Sequence, residues 1–152
     1  MQRTMVGGLW MTDANFKASI YLKNIVETDS IRVKPTLFLS NGAAYALPDV
    51  TVEPAGIAIV SINDELQKLG ISSWASLSGY VQLDYTWPWD PFCATIRNVD
   101  VAHSLVFTYF LLPTAPLSTN KGIGTRHYGK SISRLYRQDT LRHHRYCGHR
   151  AG

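Results

Sequence analysis

Apolar and polar side chains alternate strictly in several short stretches of the chain. Every second residue is apolar in residues 16–22, 31–39 and 77–85. This period of two is the pattern of a β-strand that buries one face. Further strands are predicted at residues 45–47, 50–52, 57–62, 92–97 and 103–111. In the last of these, one face carries Leu105, Phe107, Tyr109 and Leu111.

Turn-forming residues separate these predicted strands. Ser40-Asn41-Gly42 tolerates the positive φ of a tight reversal and predicts a hairpin, and residues 53–56 predict a second turn. Residues 63–70 begin with a capping Asn, carry acids in the first turn and end in Gly, which predicts one short connecting helix. Pro35 indicates an edge position or a bulge in its strand.

Seven or eight short strands, with turn signals about every 8 to 12 residues, are typical of an antiparallel β-sandwich or barrel. Helical crossovers between the strands are absent from the pattern, which excludes α/β folds. Trp10 and Trp74 are predicted to pack in the core. We therefore expect an all-β, non-catalytic domain with one short helix.

Charge divides the chain near residue 113. Residues 1–112 carry seven Lys or Arg against ten Asp or Glu, whereas residues 113–152 carry eight against one. Four of the five histidines also lie in the second segment. We predict a β-sandwich domain over residues 1–112 and a basic tail over 113–152, disordered or partly helical, so the overall charge of +4 does not describe the domain.

Three segments resemble the immunoglobulin-like modules of bacterial exported and surface proteins, including CARDB-type adhesion-related domains. They are IYLKN at 20–24, PTLFLSNGAAYAL at 35–47 and VTVEPAGIAIVSI at 50–62. The resemblance implies an immunoglobulin-like sandwich that acts as a structural or interaction module within a larger secreted or cell-surface protein. Residues 5–15 do not form a recognisable signal peptide, so a cytoplasmic location stays open.

An aromatic loop is the most unusual part of the predicted domain. Tyr85, Trp87 and Trp89 stand among prolines that stiffen the backbone. Flat aromatic side chains on a stiff loop are suited to stacking on sugars or contacting a protein. A carbohydrate-binding module that uses Trp87 and Trp89 is therefore an alternative to the structural module. The rings can instead fold inward and close one end of the sandwich.

The tail carries three weaker candidates. Residues 124–131 match the phosphate-loop pattern G-x-x-x-x-G-K-S, but no strand precedes them. Nitrogen and sulfur side chains that can bind a metal ion cluster at His143, His144, Cys147 and His149. They indicate either a metal site or a His-rich tail exposed to solvent. The tail can also form a basic helix, and nucleic-acid binding by this helix is a second alternative function. Its candidate contact residues are Arg134, Arg137, Arg142 and Arg145. An altered reading frame at the end of the gene would also produce such a tail.

The sequence predicts no enzyme and no cofactor. His103 lies near Asp100 and Ser104, but no motif of an activated nucleophile surrounds them. Asn24 and Asn98, each placed after a predicted strand, can bond nearby backbone or contribute to a calcium site. The longest apolar run has about eight residues, too short to cross a bilayer as a helix. A protein or polysaccharide partner is expected, and the mildly acidic domain does not favour nucleic acid.

Overall fold

The structure, a computed structural model, describes residues 1–72 and 75–114. This part of the chain is built from nine strands and one helix. The strands are β1 (Gln2–Thr12), β2 (Phe16–Asn24), β3 (Ile31–Leu39), β4 (Ala44–Ala46), β5 (Val50–Val52), β6 (Ile57–Ser61), β7 (Leu77–Thr86), β8 (Phe92–Asp100) and β9 (Leu105–Pro113). The helix α1 (Ile62–Lys68) follows β6 directly. The predicted antiparallel β class is confirmed.

The strands form one curled sheet. Their order is β4-β3-β7-β1-β9-β8-β2-β6, with β5 also paired to β3, and the pairings are antiparallel. The inward side chains of both halves of the sheet form one apolar core, in which Trp10 and Phe92 are the largest fully buried residues. An immunoglobulin-like sandwich has two separate sheets, whereas the strands here are hydrogen-bonded in one continuous order. The immunoglobulin-like arrangement therefore stays a prediction.

Strand β1 lies in the middle of the sheet, although the sequence pattern did not predict it. It pairs with β7 along most of its length and with β9 over residues 5–7. Gly7 and Gly8 interrupt its alternation and have positive φ, and the register with β7 shifts between Gly7 and Trp10. A bulge of this kind hides the period-two pattern. Trp10 is fully buried, as predicted, and its Nε1 donates to the Tyr80 carbonyl at 3.1 Å.

The predicted turns are confirmed. At the β3–β4 hairpin Gly42 has φ of 88°, and its amide donates to the Leu39 carbonyl. At residues 53–56 the amide of Gly56 donates to the Glu53 carbonyl. Both reversals therefore close with the backbone hydrogen bond that their sequences predict.

Pro35 lies at a change of partner within β3. The pairing with β5 ends at Val33 and the pairing with β4 begins at Thr36, so the absent N–H of Pro35 falls between the two. Its carbonyl accepts from the Leu47 amide at 2.9 Å. The proline therefore sits on the side of β3 where the ladder is interrupted, as proline in a sheet requires.

The helix begins earlier than predicted. Its N-cap is Ser61, whose hydroxyl accepts from the Asp64 amide, and it ends at Lys68. Asn63, the predicted cap, instead bridges to β2: its Oδ1 accepts from the Ala18 amide and its Nδ2 donates to the Phe16 carbonyl. A tertiary contact has therefore replaced the local cap.

Strand β9 differs from expectation in its burial. Leu111 is buried, but Leu105, Phe107 and Tyr109, which share its face, are 50%, 38% and 37% exposed. β1 pairs with β9 only from Leu111 onward, so within the described residues the first part of β9 has a strand neighbour on the β8 side alone.

Candidate functional site

A cleft opens at one end of the outer surface of the sheet, beside the aromatic loop. It has a volume of about 380 Å³, within the range of ligand sites in proteins. The starts of β1 and β3, the end of β7 and the residue before β5 contribute its walls. We call it the Trp87 cleft, and its lining residues are Gln2, Ser30, Ile31, Arg32, Lys34, Asp49, Asp84, Tyr85, Thr86 and Trp87.

Strand register explains why these side chains meet. Lys34 lies opposite Asp84 across the β3–β7 pair, and Gln2 lies opposite Thr86 across the β1–β7 pair. Three neighbouring strands therefore present polar side chains on the same outward face. Trp87 follows the end of β7, packs against the core and forms a wall of the cleft.

The charges of the cleft are balanced and largely fixed in place. Arg32 Nε lies 2.8 Å from Asp49 Oδ2. Asp84 accepts from the Thr4 hydroxyl at 2.6 Å and from the Gln82 amide at 2.9 Å. The cleft thus offers fixed acceptors, together with the ammonium group of Lys34 and the hydroxyl groups of its rim.

The aromatic loop is held by hydrogen bonds to β1. Arg3 Nη1 donates to Asp90 Oδ1 at 3.0 Å and Arg3 Nη2 donates to the Pro88 carbonyl at 2.9 Å. The Trp87 amide donates to the Met1 carbonyl at 3.0 Å. The loop between β7 and β8 is therefore fixed by the first residues of the chain, a contact between distant parts of the sequence.

Tyr85 is part of this support, because it is only 3% exposed. Its hydroxyl donates to Asp90 Oδ1 at 2.5 Å. Burial, and next the hydrogen bond to Asp90, raise the pKa of Tyr85 above its ordinary value. Only a small part of Tyr85 can therefore touch a ligand, and its main contacts position the loop.

The two tryptophans of the loop differ in exposure. Trp89 is 46% exposed, whereas Trp87 is half-buried. Trp89 is not among the residues that line the cleft, so the structure separates the two predicted rings. Trp87 Nε1 is buried and has no hydrogen-bond partner within the described residues. An unpaired buried N–H is uncommon and costs about 1–3 kcal/mol.

Asp100 and His103 bond to each other in the turn between β8 and β9. His103 Nδ1 lies 2.8 Å from Asp100 Oδ2, while Asp100 Oδ1 accepts from the amides of Ala102 and His103. These bonds, the His103 side chain first, lower the pKa of Asp100. This is the geometry of an Asp that closes a turn.

Asn24 and Asn98 are both fully buried and both bond backbone. The amide group of Asn24 donates to the carbonyls of residues 29, 52 and 53, and its Oδ1 accepts from the Val26 amide. Asn98 lies inside β8 and bridges to β1, where Nδ2 donates to the Leu9 carbonyl and Oδ1 accepts from the Met11 amide. Both side chains therefore bond nearby backbone, which is the alternative to a calcium site that the sequence left open.

The remaining candidates from the sequence lie outside the described residues. They are Trp74, the phosphate-loop pattern at 124–131, the predicted metal ligands His143, His144, Cys147 and His149, and the predicted nucleic-acid contacts Arg134, Arg137, Arg142 and Arg145. Over residues 1–72 and 75–114, no group of three or more His, Cys, Asp or Glu side chains is placed to hold a metal ion. In the same part of the chain, no helix is long and apolar enough to cross a membrane.

Sequence reasoning missed the polar half of the cleft. Arg32 and Lys34 follow the alternation of their strand, which indicates only a solvent-facing side. Asp49 and Asp84 lie far from them in the chain and meet them only through strand pairing. The alternation of β7 does indicate that Gln82 and Asp84 face outward together, but it does not indicate which residues lie beside them.

Comparison with known proteins gives a fold likeness alone. No family model matches the chain, and no curated protein matches it. A solved structure, described as the crystal structure of Thermotoga maritima 1070, is similar with a TM-score of 0.54 and 14% sequence identity. The likeness covers 72% of this chain and 92% of that chain. At this identity it supports the curled β architecture and carries no information on activity.

Proposed function

We propose that this chain is a non-catalytic interaction module that binds its partner through the Trp87 cleft. The observation that carries the proposal is a preformed cleft whose aromatic wall is fixed by Arg3 and Asp90. Preformed binding surfaces lose little conformational entropy when a partner binds. An immunoglobulin-like arrangement and a place in a larger exported or surface protein belong to the same proposal and rest on the sequence resemblance.

The chemistry of the cleft favours a neutral, polar partner. Its two carboxylates already accept hydrogen bonds, from Arg32 in one case and from Thr4 and Gln82 in the other. The positive charge of Lys34 stands opposite the negative charge of Asp84. A ligand therefore meets donors and acceptors without a strong field of either sign.

Carbohydrate is the second candidate partner, and one observation favours it. Trp87 forms a wall of a cleft that also contains hydroxyl, amide and carboxylate groups. Sugars present an apolar ring face beside hydroxyl groups, and this combination of an aromatic wall with polar groups complements both. A peptide would use the same cleft through its backbone amides, so the two partners compete for one site.

Two arrays test the proposal with the full chain, one of oligosaccharides and one of random dodecapeptides. Thr86→Arg places a long side chain at the cleft, and Ser40→Arg makes the same change at the exposed β3–β4 turn. We expect Thr86→Arg to weaken binding at least tenfold and Ser40→Arg to leave it unchanged. Saccharide ligands would support the carbohydrate candidate, and peptide ligands alone would remove it. Absence of any ligand, or equal binding by both variants, would contradict the proposal.

A further inference from the structure

In residues 1–72 and 75–114, no strand lies beside one side of β9 along residues 105–109, which we call the β9 edge. Within the described residues, β8 pairs with β9 from Leu105 to Phe110, but β1 pairs with β9 only at residues 111–113. The β1–β9 pairing ends where β1 has its bulge: Gly7 and Gly8 have positive φ, and the register with β7 shifts between Gly7 and Trp10. The Leu9 carbonyl and the Met11 amide bond instead to the Asn98 side chain on β8.

The backbone groups that face the open side follow from the pairing further along β9. The amide of Thr114 donates to the Thr4 carbonyl on β1 at 2.9 Å. Successive residues of an antiparallel strand direct their N–H and C=O to alternate sides. The backbone groups of Val106 and Thr108 therefore point toward the open side, and those of Phe107 point toward β8.

Apolar side chains are exposed on both faces of the β9 edge. Leu105, Phe107 and Tyr109 lie on one face and are 50%, 38% and 37% exposed, and Val106 on the other face is 55% exposed. Residues 105–109 contain no charge and no proline, and their register with β8 has no bulge. Edge strands of monomeric proteins ordinarily carry a charge, a proline or a bulge, because each of these prevents pairing with another chain.

We propose that the β9 edge pairs with the β9 edge of a second copy of this chain, antiparallel and about a twofold axis. An antiparallel edge is its own complement, because Val106 of each copy can exchange hydrogen bonds with Thr108 of the other when Phe107 lies opposite Phe107. No charged side chain lies within residues 104–112 to repel its equivalent. This inference goes beyond the proposed function and uses a surface apart from the Trp87 cleft.

The exposed apolar side chains of the β9 edge follow one another along a single strand. Exposed apolar patches of this kind mark interaction sites. Because the shared ladder would span only residues 105–109, we expect a weak dimer whose formation depends on concentration, rather than an obligate dimer.

Sedimentation velocity of the full chain between about 1 and 100 μM tests the proposal. We expect the mass to approach that of two chains as concentration rises. Thr108→Pro removes an N–H on the open side and leaves the β8–β9 ladder intact, and Val106→Lys adds a charge at the edge. Each is expected to weaken association at least tenfold. The matched control is Ile57→Lys, which changes a 64% exposed residue of β6 and should have no effect.

Circular dichroism and the thermal midpoint of each variant establish that it is folded. A chain that stays monomeric at 100 μM would overturn the proposal, as would a dimer that withstands both edge substitutions or dissociates with Ile57→Lys. Hydrogen exchange of the wild-type chain tests whether the chain's own residues, rather than a second copy, cover the β9 edge. Slow exchange of the Val106 and Thr108 amides in a monomer would mean that the chain's own residues cover the edge, which would also overturn it.

Discussion

Asp90→Ala should weaken the support of the aromatic loop by removing the group that joins Arg3 and Tyr85. Asp90 Oδ1 accepts from Arg3 Nη1 at 3.0 Å and from the Tyr85 hydroxyl at 2.5 Å. Both charged side chains are about one quarter exposed, whereas Tyr85 is buried. The substitution therefore leaves a buried hydroxyl without an acceptor.

The two lost interactions have different weights. A buried hydroxyl without a partner costs about 1–3 kcal/mol. The ion pair with Arg3 is partly solvated, and such pairs contribute up to about 1 kcal/mol. The substitution should thus lower the free energy of unfolding by about 1–4 kcal/mol, a large fraction of the roughly 5–15 kcal/mol of a small domain.

A double-mutant cycle in urea separates these contributions. Tyr85→Phe removes the hydroxyl but keeps the ring packed against Phe92, at a centroid distance of 4.7 Å. In this background Asp90→Ala loses only the Arg3 interaction, so its cost should fall to about 1 kcal/mol or less. The coupling free energy is therefore expected to be about 1–3 kcal/mol. An equal cost of Asp90→Ala in both backgrounds would refute this account of the loop.

Three further changes test other parts of the structure. The pKa of Tyr85 is raised above its ordinary value of 10.0, so the neutral Tyr85 side chain stabilises the fold fully below pH 10, and this stabilisation is lost as the pH rises further. The difference in unfolding free energy between wild type and Tyr85→Phe should therefore shrink from pH 9 to pH 11. Asn98→Ala leaves two backbone groups of β1 unpaired and should cost about 2–6 kcal/mol in urea unfolding, while Thr95→Ala on the same strand should cost under about 1 kcal/mol. Gly79→Ala would place a Cβ 1.7 Å from the Phe38 carbonyl oxygen, so we expect a loss of at least about 3 kcal/mol, whereas an unchanged melting temperature would show that β3 can move away.

Local patterns predicted the strands whose alternation is regular. Residues 16–22, 31–39 and 77–85 lie in β2, β3 and β7, as the period of two requires. β1 escaped prediction because its two glycines break the alternation at the point where its pairing with β9 ends. The period of apolar side chains alone does not indicate where a strand gains or loses a neighbour.

Exposure of β9 and the position of the cleft depend on contacts between distant residues. The pattern of β9 correctly placed Leu105 and Leu111 on one face, but burial of that face depends on where β1 leaves it. Trp87 was recognisable as a candidate from its loop. Its polar neighbours were not, because Lys34 and Asp84 meet only through the β3–β7 register.

We propose that partners bind at the Trp87 cleft. Amine labelling of the full chain, followed by mass spectrometry, tests it when the tightest ligand from the two arrays is present at saturation. Lys34 lines the cleft, and Lys17 is an exposed lysine of β2 that does not line it. We expect the ligand to slow labelling of Lys34 and to leave labelling of Lys17 unchanged. Equal labelling of Lys34 with and without bound ligand would contradict it.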